Sequence, residues 1–224
     1  MGGSRMRMRV EGVRLLACWL LLAGWLLVPA LACARGTAGG RAGPVLVLGD
    51  SLSAEHNIPA GSGWVSLLER RIQKEIVPPP KVVNASISGE TTAGALVRLP
   101  GLLEKHRPSV LVIELGGNDA LRGLSPAQLR GNLERMIGLA DDAGARVLLL
   151  GIDVPPNYGP AYRERLRRTY AELAAGHPGT ALVPFFLEGV ALQPGLMQAD
   201  GLHPVAAAQP HLVENVWPVL RPML

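Results

Sequence analysis

Val45-Leu46-Val47-Leu48-Gly49-Asp50-Ser51-Leu52 decides how the rest of this chain is read. Four consecutive apolar residues suit a short strand covered on both faces, as in a parallel sheet. A turn follows at once and sets a serine where the strand's carboxyl end opens. Ligands of open parallel sheets bind outside those ends. The stretch therefore predicts a fold class and a place for chemistry within it.

Outward from it, strands and helices alternate. Gly63 to Ile76 carries Trp64, Leu67, Leu68, Ile72 and Ile76 at helical spacing, and Pro78-Pro79-Pro80 stops it. Val82–Val83 begins a second strand. Thr92 to His106 reads as a helix that Pro100 should kink or divide. Val110–Leu115 is a third strand. Ser125-Pro126 supplies an N-cap and first-turn pair for a helix with Leu129, Leu133, Met136, Ile137 and Ala140 on one face, ended by Gly144. Arg146–Ile152 is a fourth strand, Pro160–Ala175 an arginine-rich helix, and Ala181–Phe186 a fifth strand interrupted at Pro184. Pro204 to Leu220 is a final helix weakened by Pro210 and Pro218. This repetition calls for an α/β fold, a parallel sheet with helices on both faces. Ser51, Asn118 and Asp153 each fall just past a strand's end, where they can meet.

The first 34 residues read differently. Arg5, Arg7, Arg9 and Arg14 precede the apolar run Leu15–Val28, and small residues follow. That is the layout of a secretory signal peptide, with cleavage expected near residues 32–34. A retained membrane anchor is the rival reading, but the apolar run is short for one. Ala30-Leu31-Ala32-Cys33 also loosely resembles a lipobox, with Cys33 as the lipidated residue. Residues 35–43 read as a flexible leader and 44–224 as one domain, without an internal repeat. The chain carries a net charge of +4. Four arginines less Glu11 remove three positive charges with the signal peptide, which leaves +1. No electrostatic case for nucleic acid remains. Of the two cysteines, Cys18 and Cys33, the first goes with the signal peptide, so no internal disulfide is expected. The exported protein is expected in the periplasm or outside the cell.

Asp200-Gly201-Leu202-His203-Pro204 puts a carboxylate and an imidazole three residues apart. Serine, then acid, then histidine is one chain order of a hydrolytic triad. A serine hydroxyl is a weak nucleophile until a base takes its proton. His203 is the candidate base, and Asp200 its orienter. Acyl transfer also needs donors aimed at the developing oxyanion. The candidates are the backbone N–H groups of Ser51 and Gly89 and the side-chain amide of Asn118. Gly116 and Gly117 leave room to place that amide closely.

These segments, with Ser88-Gly89-Glu90 and Gly116-Gly117-Asn118-Asp119 between the first and the last, resemble the sequence blocks of the SGNH, or GDSL-type, serine hydrolases. The similarity extends through Val83–Thr92, Leu115–Gly123, Pro155–Gly159 and Val183–Leu187 to the periplasmic thioesterase, arylesterase and lysophospholipase group. It implies a flavodoxin-like three-layer α/β/α sandwich with a five-stranded parallel sheet. It implies hydrolysis of carboxylic esters and thioesters without a cofactor. Small-molecule acyl esters, acyl thioesters or lysophospholipids are the expected substrates, and no obligate protein partner is expected. A shallow acyl groove is implied, with a mobile loop over roughly residues 115–124.

Groove residues are then expected at Leu115, Leu121, Leu124, Asp153 and Pro155. Gly151-Ile152-Asp153-Val154 departs from the more basic and aliphatic stretch of close relatives, which puts acyl-length preference at issue. Asp50 and Asp119 are expected to support the nucleophile turn and the Asn118 loop. His56, His106, His177 and His211 read as surface residues. No His/Cys/Asp cluster shows metal-ligand spacing, and no glycine-rich phosphate loop is present. Two other readings stay open: a polysaccharide O-acetylesterase with the same machinery, and a non-catalytic acyl-binding protein.

Overall fold

The computed structural model describes residues 43–224. The expected signal peptide, Cys33 and most of the expected leader lie outside the described residues. Five strands form one sheet: β1 (Val45–Gly49), β2 (Val82–Asn84), β3 (Val110–Glu114), β4 (Arg146–Leu150) and β5 (Thr180–Val183). All pair in parallel, in the order β2-β1-β3-β4-β5. Apolar runs drive this. Val45–Leu48 and Val110–Ile113 are fully buried, and each such side chain contributes roughly 1.5–3 kcal/mol.

The helices are α1 (Trp64–Glu75), α2 (Thr92–His106), α3 (Gly117–Leu121), α4 (Pro126–Asp142), α5 (Pro160–Gly176) and α6 (Gln209–Leu220). α1 packs on α6, while α2 packs on α4 and α4 on α5. These two groups cover the two faces and give the three-layer α/β/α sandwich. α4 starts as expected: the Ser125 hydroxyl accepts from the Gln128 N–H, and the Gln128 side chain accepts from the Ser125 N–H.

Four local expectations need correcting. Pro100 does not divide α2, because it lies on the helix's exposed face, where water can take the carbonyl it leaves unbonded. The third strand stops at Glu114 and the fourth at Leu150, each shorter than the expected strand. The fifth strand ends before Pro184, which has no N–H to extend the ladder. Pro210 opens α6 instead of weakening it; a 3₁₀ turn, Ala206–Ala208, precedes that helix, and Pro at the first turn costs no hydrogen bond.

β1 connects outward to β2 on one side and pairs with β3 on the other. The strand order reverses between β1 and β3, which opens a crevice at their carboxyl ends. Ser51 leaves β1 at that crevice, and α3, with Asn118, leaves β3 beside it.

Candidate active site

The turn after β1 is wound tightly. The N–H groups of Ser53 and Ala54 both return to the Asp50 carbonyl, and that of His56 returns to the Ser51 carbonyl. This presents Ser51 at the crevice while leaving it only 9% exposed. The loop carrying Asp200 and His203 is bonded to itself. Met197 and Pro204 form an antiparallel bridge, the Gln198 N–H donates to the His203 carbonyl at 2.7 Å, and the Gly201 N–H donates to the Gln198 carbonyl at 3.0 Å. The Gln198 amide then donates to the carbonyls of His56 and Pro204, at 3.0 and 3.1 Å, tying this loop to the serine's turn.

Between the two loops runs a hydrogen-bond relay. His203 Nε2 lies 2.8 Å from Ser51 Oγ, and His203 Nδ1 lies 2.7 Å from Asp200 Oδ2. The other carboxylate oxygen of Asp200 accepts from the N–H groups of Leu202 (2.8 Å) and His203 (3.0 Å). Partial burial is the largest influence on Asp200 and raises its pKa. The hydrogen bonds from the His203 backbone, the His203 ring and Leu202 together outweigh it and bring the pKa down to about 2. The acid thus stays charged at neutral pH, which favours the tautomer with its proton on Nδ1 and a lone pair on Nε2 facing Ser51.

Asn118 sits in the first turn of α3. Its amide donates to Asp50 Oδ2 at 2.9 Å; an amide carries two N–H donors, so a second remains. Gly89 has a φ of +77°, which a residue with a side chain rarely adopts, and its carbonyl accepts from Arg122 at 2.9 Å. Gly116 enters α3 at φ +126°, where a β-carbon would collide with the Tyr170 hydroxyl. Asp119 is fully buried and accepts from both the N–H and the hydroxyl of Thr92, pinning α3 to the start of α2. A short helix therefore stands where the resemblance implied a loop.

A cavity of about 300 Å³ joins these groups. Ser51, Gly89, Asn118 and His203 line it, as do Leu121, Asp153 and Pro155. Ile152, Val154, Leu187 and Leu202 complete a largely apolar wall. Two expected groove residues are absent from it. Leu115 is fully buried in the core, because strand alternation and the turn at Gly116 point it inward. Leu124 lies past α3, where its carbonyl accepts from Tyr162. Asp153 lines the cavity, but its carboxylate, 8% exposed, is held by Arg163 at 2.6 and 3.0 Å and by Arg167 at 3.0 Å. Burial raises its pKa, and the arginines and the Val154 N–H more than offset this, leaving it below the ordinary value. The wall is thus charge-neutralised at that point.

Three site residues escaped the sequence reading. Glu114, at the end of β3, is fully buried; its Oε2 accepts from the Asp50 N–H at 3.2 Å and the Ser53 hydroxyl at 2.8 Å. Burial, and then the charge of Asp50, push its carboxyl well above the ordinary range, which favours its protonated form. A lone carboxylate closing the apolar run Val110–Ile113 was the available signal. His56, read as a surface residue, instead lines the cavity, with its ring centroid 4.4 Å from that of His203. Gln198 carried no signal, because its role exists only once the two loops meet.

Residues 47–209 match the profile of the GDSL-like lipase/acylhydrolase family. The chain belongs to that family. It is an ester-hydrolysing serine hydrolase, as this family membership and its relatives indicate. Among GDSL-like relatives, "Esterase TesA" of Pseudomonas aeruginosa is 54% identical over 205 residues, covering 92% of this chain and 98% of that protein. "Thioesterase 1/protease 1/lysophospholipase L1" of Escherichia coli K12 is 42% identical over 180 residues, covering 80% of this chain and 84% of that protein. A crystal structure of TesA superposes with a TM-score of 0.78 at 57% identity, covering 81% of this chain and 99% of that chain. The GDSL-like family thus accounts for the fold and the order of the blocks.

Proposed function

We propose that Ser51 is the nucleophile, His203 the general base and Asp200 its orienter, acting on carboxylic esters and thioesters of fatty acyl groups. The 2.8 Å contact between Ser51 Oγ and His203 Nε2 carries this reading. His203 takes the hydroxyl proton as Ser51 Oγ bonds to the acyl carbonyl carbon. The Ser51 and Gly89 N–H groups and the Asn118 amide stabilise the oxyanion. His203 then gives its proton to the leaving alcohol or thiol as the ester bond breaks. Water, activated by the same imidazole, releases the acid and restores Ser51. Asp50 and Asp119 hold the turn and the helix that carry these groups.

The apolar wall of Leu121, Ile152, Val154 and Leu187 supports an acyl chain over an acetyl group on a bulky sugar. Acyl thioesters and lysophospholipids are the substrates to try after simple esters. The signal-peptide layout of the N-terminal segment supports a location in the periplasm or outside the cell, and an intact mass of the exported protein tests that reading and any lipid on Cys33. Hydrolysis of a p-nitrophenyl ester series from acetyl to palmitoyl, with Ser51→Ala as control, tests the chemistry. A Ser51-dependent optimum at medium or long chains supports it. An optimum confined to acetyl redirects it to a deacetylase. An inert protein that a fluorophosphonate fails to label at Ser51 overturns it.

A further inference from the structure

His56 takes no part in the chemistry above, yet it faces the same cavity. Its ring stands 4.4 Å from that of His203, tilted by 41°. The ligand-capable atoms of His56, Asp200 and His203 all lie within 4.8 Å of one another. Two imidazoles and one carboxylate are a donor set suited to borderline transition metals. We propose that His56, Asp200 and His203 form a binding site for a divalent transition-metal ion, typified by Zn²⁺, and that an ion there switches hydrolysis off.

The hydrogen-bond relay makes inhibition unavoidable once the ion binds. Both ring nitrogens of His203 are engaged, Nδ1 with Asp200 and Nε2 with Ser51. An ion coordinates through a nitrogen lone pair. At Nδ1 it displaces a proton to solvent and separates the ring from Asp200. At Nε2 it takes the lone pair that accepts the Ser51 proton. Either way the base is lost, and removing the ion restores it.

The geometry is close to what coordination needs. Tetrahedral zinc, with bonds near 2.0–2.1 Å, holds its ligands about 3.3 Å apart. The present separations, all within 4.8 Å, require side-chain rotation to reach that value. The backbone of His56 is anchored, its carbonyl accepting from the Gln198 amide at 3.0 Å. Its ring makes one hydrogen bond, 3.0 Å from the Asn57 amide, and is freer to turn. Three protein ligands leave a fourth position for water. Magnesium, which demands oxygen ligands, suits this set poorly.

His56 is the discriminating residue, since the other two also serve the relay. Two measurements test the site on the purified protein. The first is ester hydrolysis against free Zn²⁺, with chelator reversal and Mg²⁺ as a control. The second is visible absorption of Co²⁺ added to Ser51→Ala, which reports coordination without turnover and so stands even if the hydrolytic reading fails. We expect saturable, reversible inhibition and a Co²⁺ band that Zn²⁺ abolishes. In His56→Phe, half-inhibition needs at least ~10-fold more Zn²⁺, and combined with Ser51→Ala it loses the band, because loss of a direct ligand costs no less than loss of an outer-shell partner. His56→Gln serves if the Phe variant does not fold, checked by circular dichroism. Equal Zn²⁺ sensitivity in the folded His56 variant, equal inhibition by Mg²⁺, or absence of the Co²⁺ band overturns the proposal.

Discussion

The side-chain amide of Asn118 donates to Asp50 Oδ2 at 2.9 Å, across the crevice between β1 and β3. The residue before the candidate nucleophile therefore aims a candidate oxyanion donor. Asn118→Ala is expected to lower kcat by on the order of 10²–10³ while moving KM little, as loss of one oxyanion donor does. Asp50→Ala leaves the amide in place but unaimed. It should lower kcat by a smaller factor than Asn118→Ala, and the double variant should fall well short of the product of the two. Independent effects in that double-mutant cycle would refute the coupling.

Ser51→Ala removes the proposed nucleophile and should reduce turnover on the order of 10³-fold or more. Active-site titration with a fluorophosphonate gives the matching readout. One equivalent should react with the parent protein and none with the variant. Near-parental hydrolysis by Ser51→Ala would end the serine assignment.

Glu114 separates charge from shape. Burial favours the neutral carboxyl of Glu114, so the near-isosteric Glu114→Gln should retain most activity. Glu114→Ala orphans the Asp50 N–H and the Ser53 hydroxyl, at about 1–3 kcal/mol for each buried group left unpaired. The pH dependence follows from the sign of the shift. A carboxyl raised above its ordinary 4.5 in the folded state gives a contribution that is complete below that value and is lost as pH rises through the folded pKa. Denaturation midpoints should therefore fall less with rising pH in Glu114→Gln than in the parent. Parallel curves would show that Glu114 is ionised in the native protein.

Asp153 predicts the opposite slope at the acid end. Its folded pKa lies below the ordinary 3.8. Its contribution is thus complete above about that pH and disappears as pH falls through the folded value. Asp153→Asn should lower stability near neutrality and flatten the acid side of the stability profile. The same variant frees Arg163 beside the cavity wall, so activity on long acyl esters should fall relative to short ones. An unchanged chain-length profile would remove Asp153 from the acyl wall.

The legible part of this molecule was whatever depended on local pattern. Val45–Leu48 and Val110–Ile113 read as buried strands because a continuous apolar run has few other fates. Ser125, Pro126 and Gln128 announced the start of α4 through cap chemistry. The serine, acid and histidine were visible as residue types in a known order. What was hidden depended on which way a side chain turned or on what crossed a gap. Leu115 follows a strand by one residue, and one residue is the difference between groove and core. His56 looked like a loop histidine because nothing in its neighbours in sequence reveals a ring 147 positions later. Gln198 joins two loops, and a bond between loops leaves no mark on either. The short helix α3 was hidden by its glycines, which favour a loop until Asp119 is seen anchored to Thr92.

The candidate acid and base ride on one loop that is closed by backbone bonds from Gln198 to His203 and from Val205 to Leu196. Any displacement of that loop carries both groups together and leaves their mutual spacing intact. The reach from imidazole to hydroxyl is instead set between loops, and the Gln198 amide on the His56 carbonyl fastens one loop to the other. Catalytic register in this fold thus hangs on a glutamine that never meets the substrate.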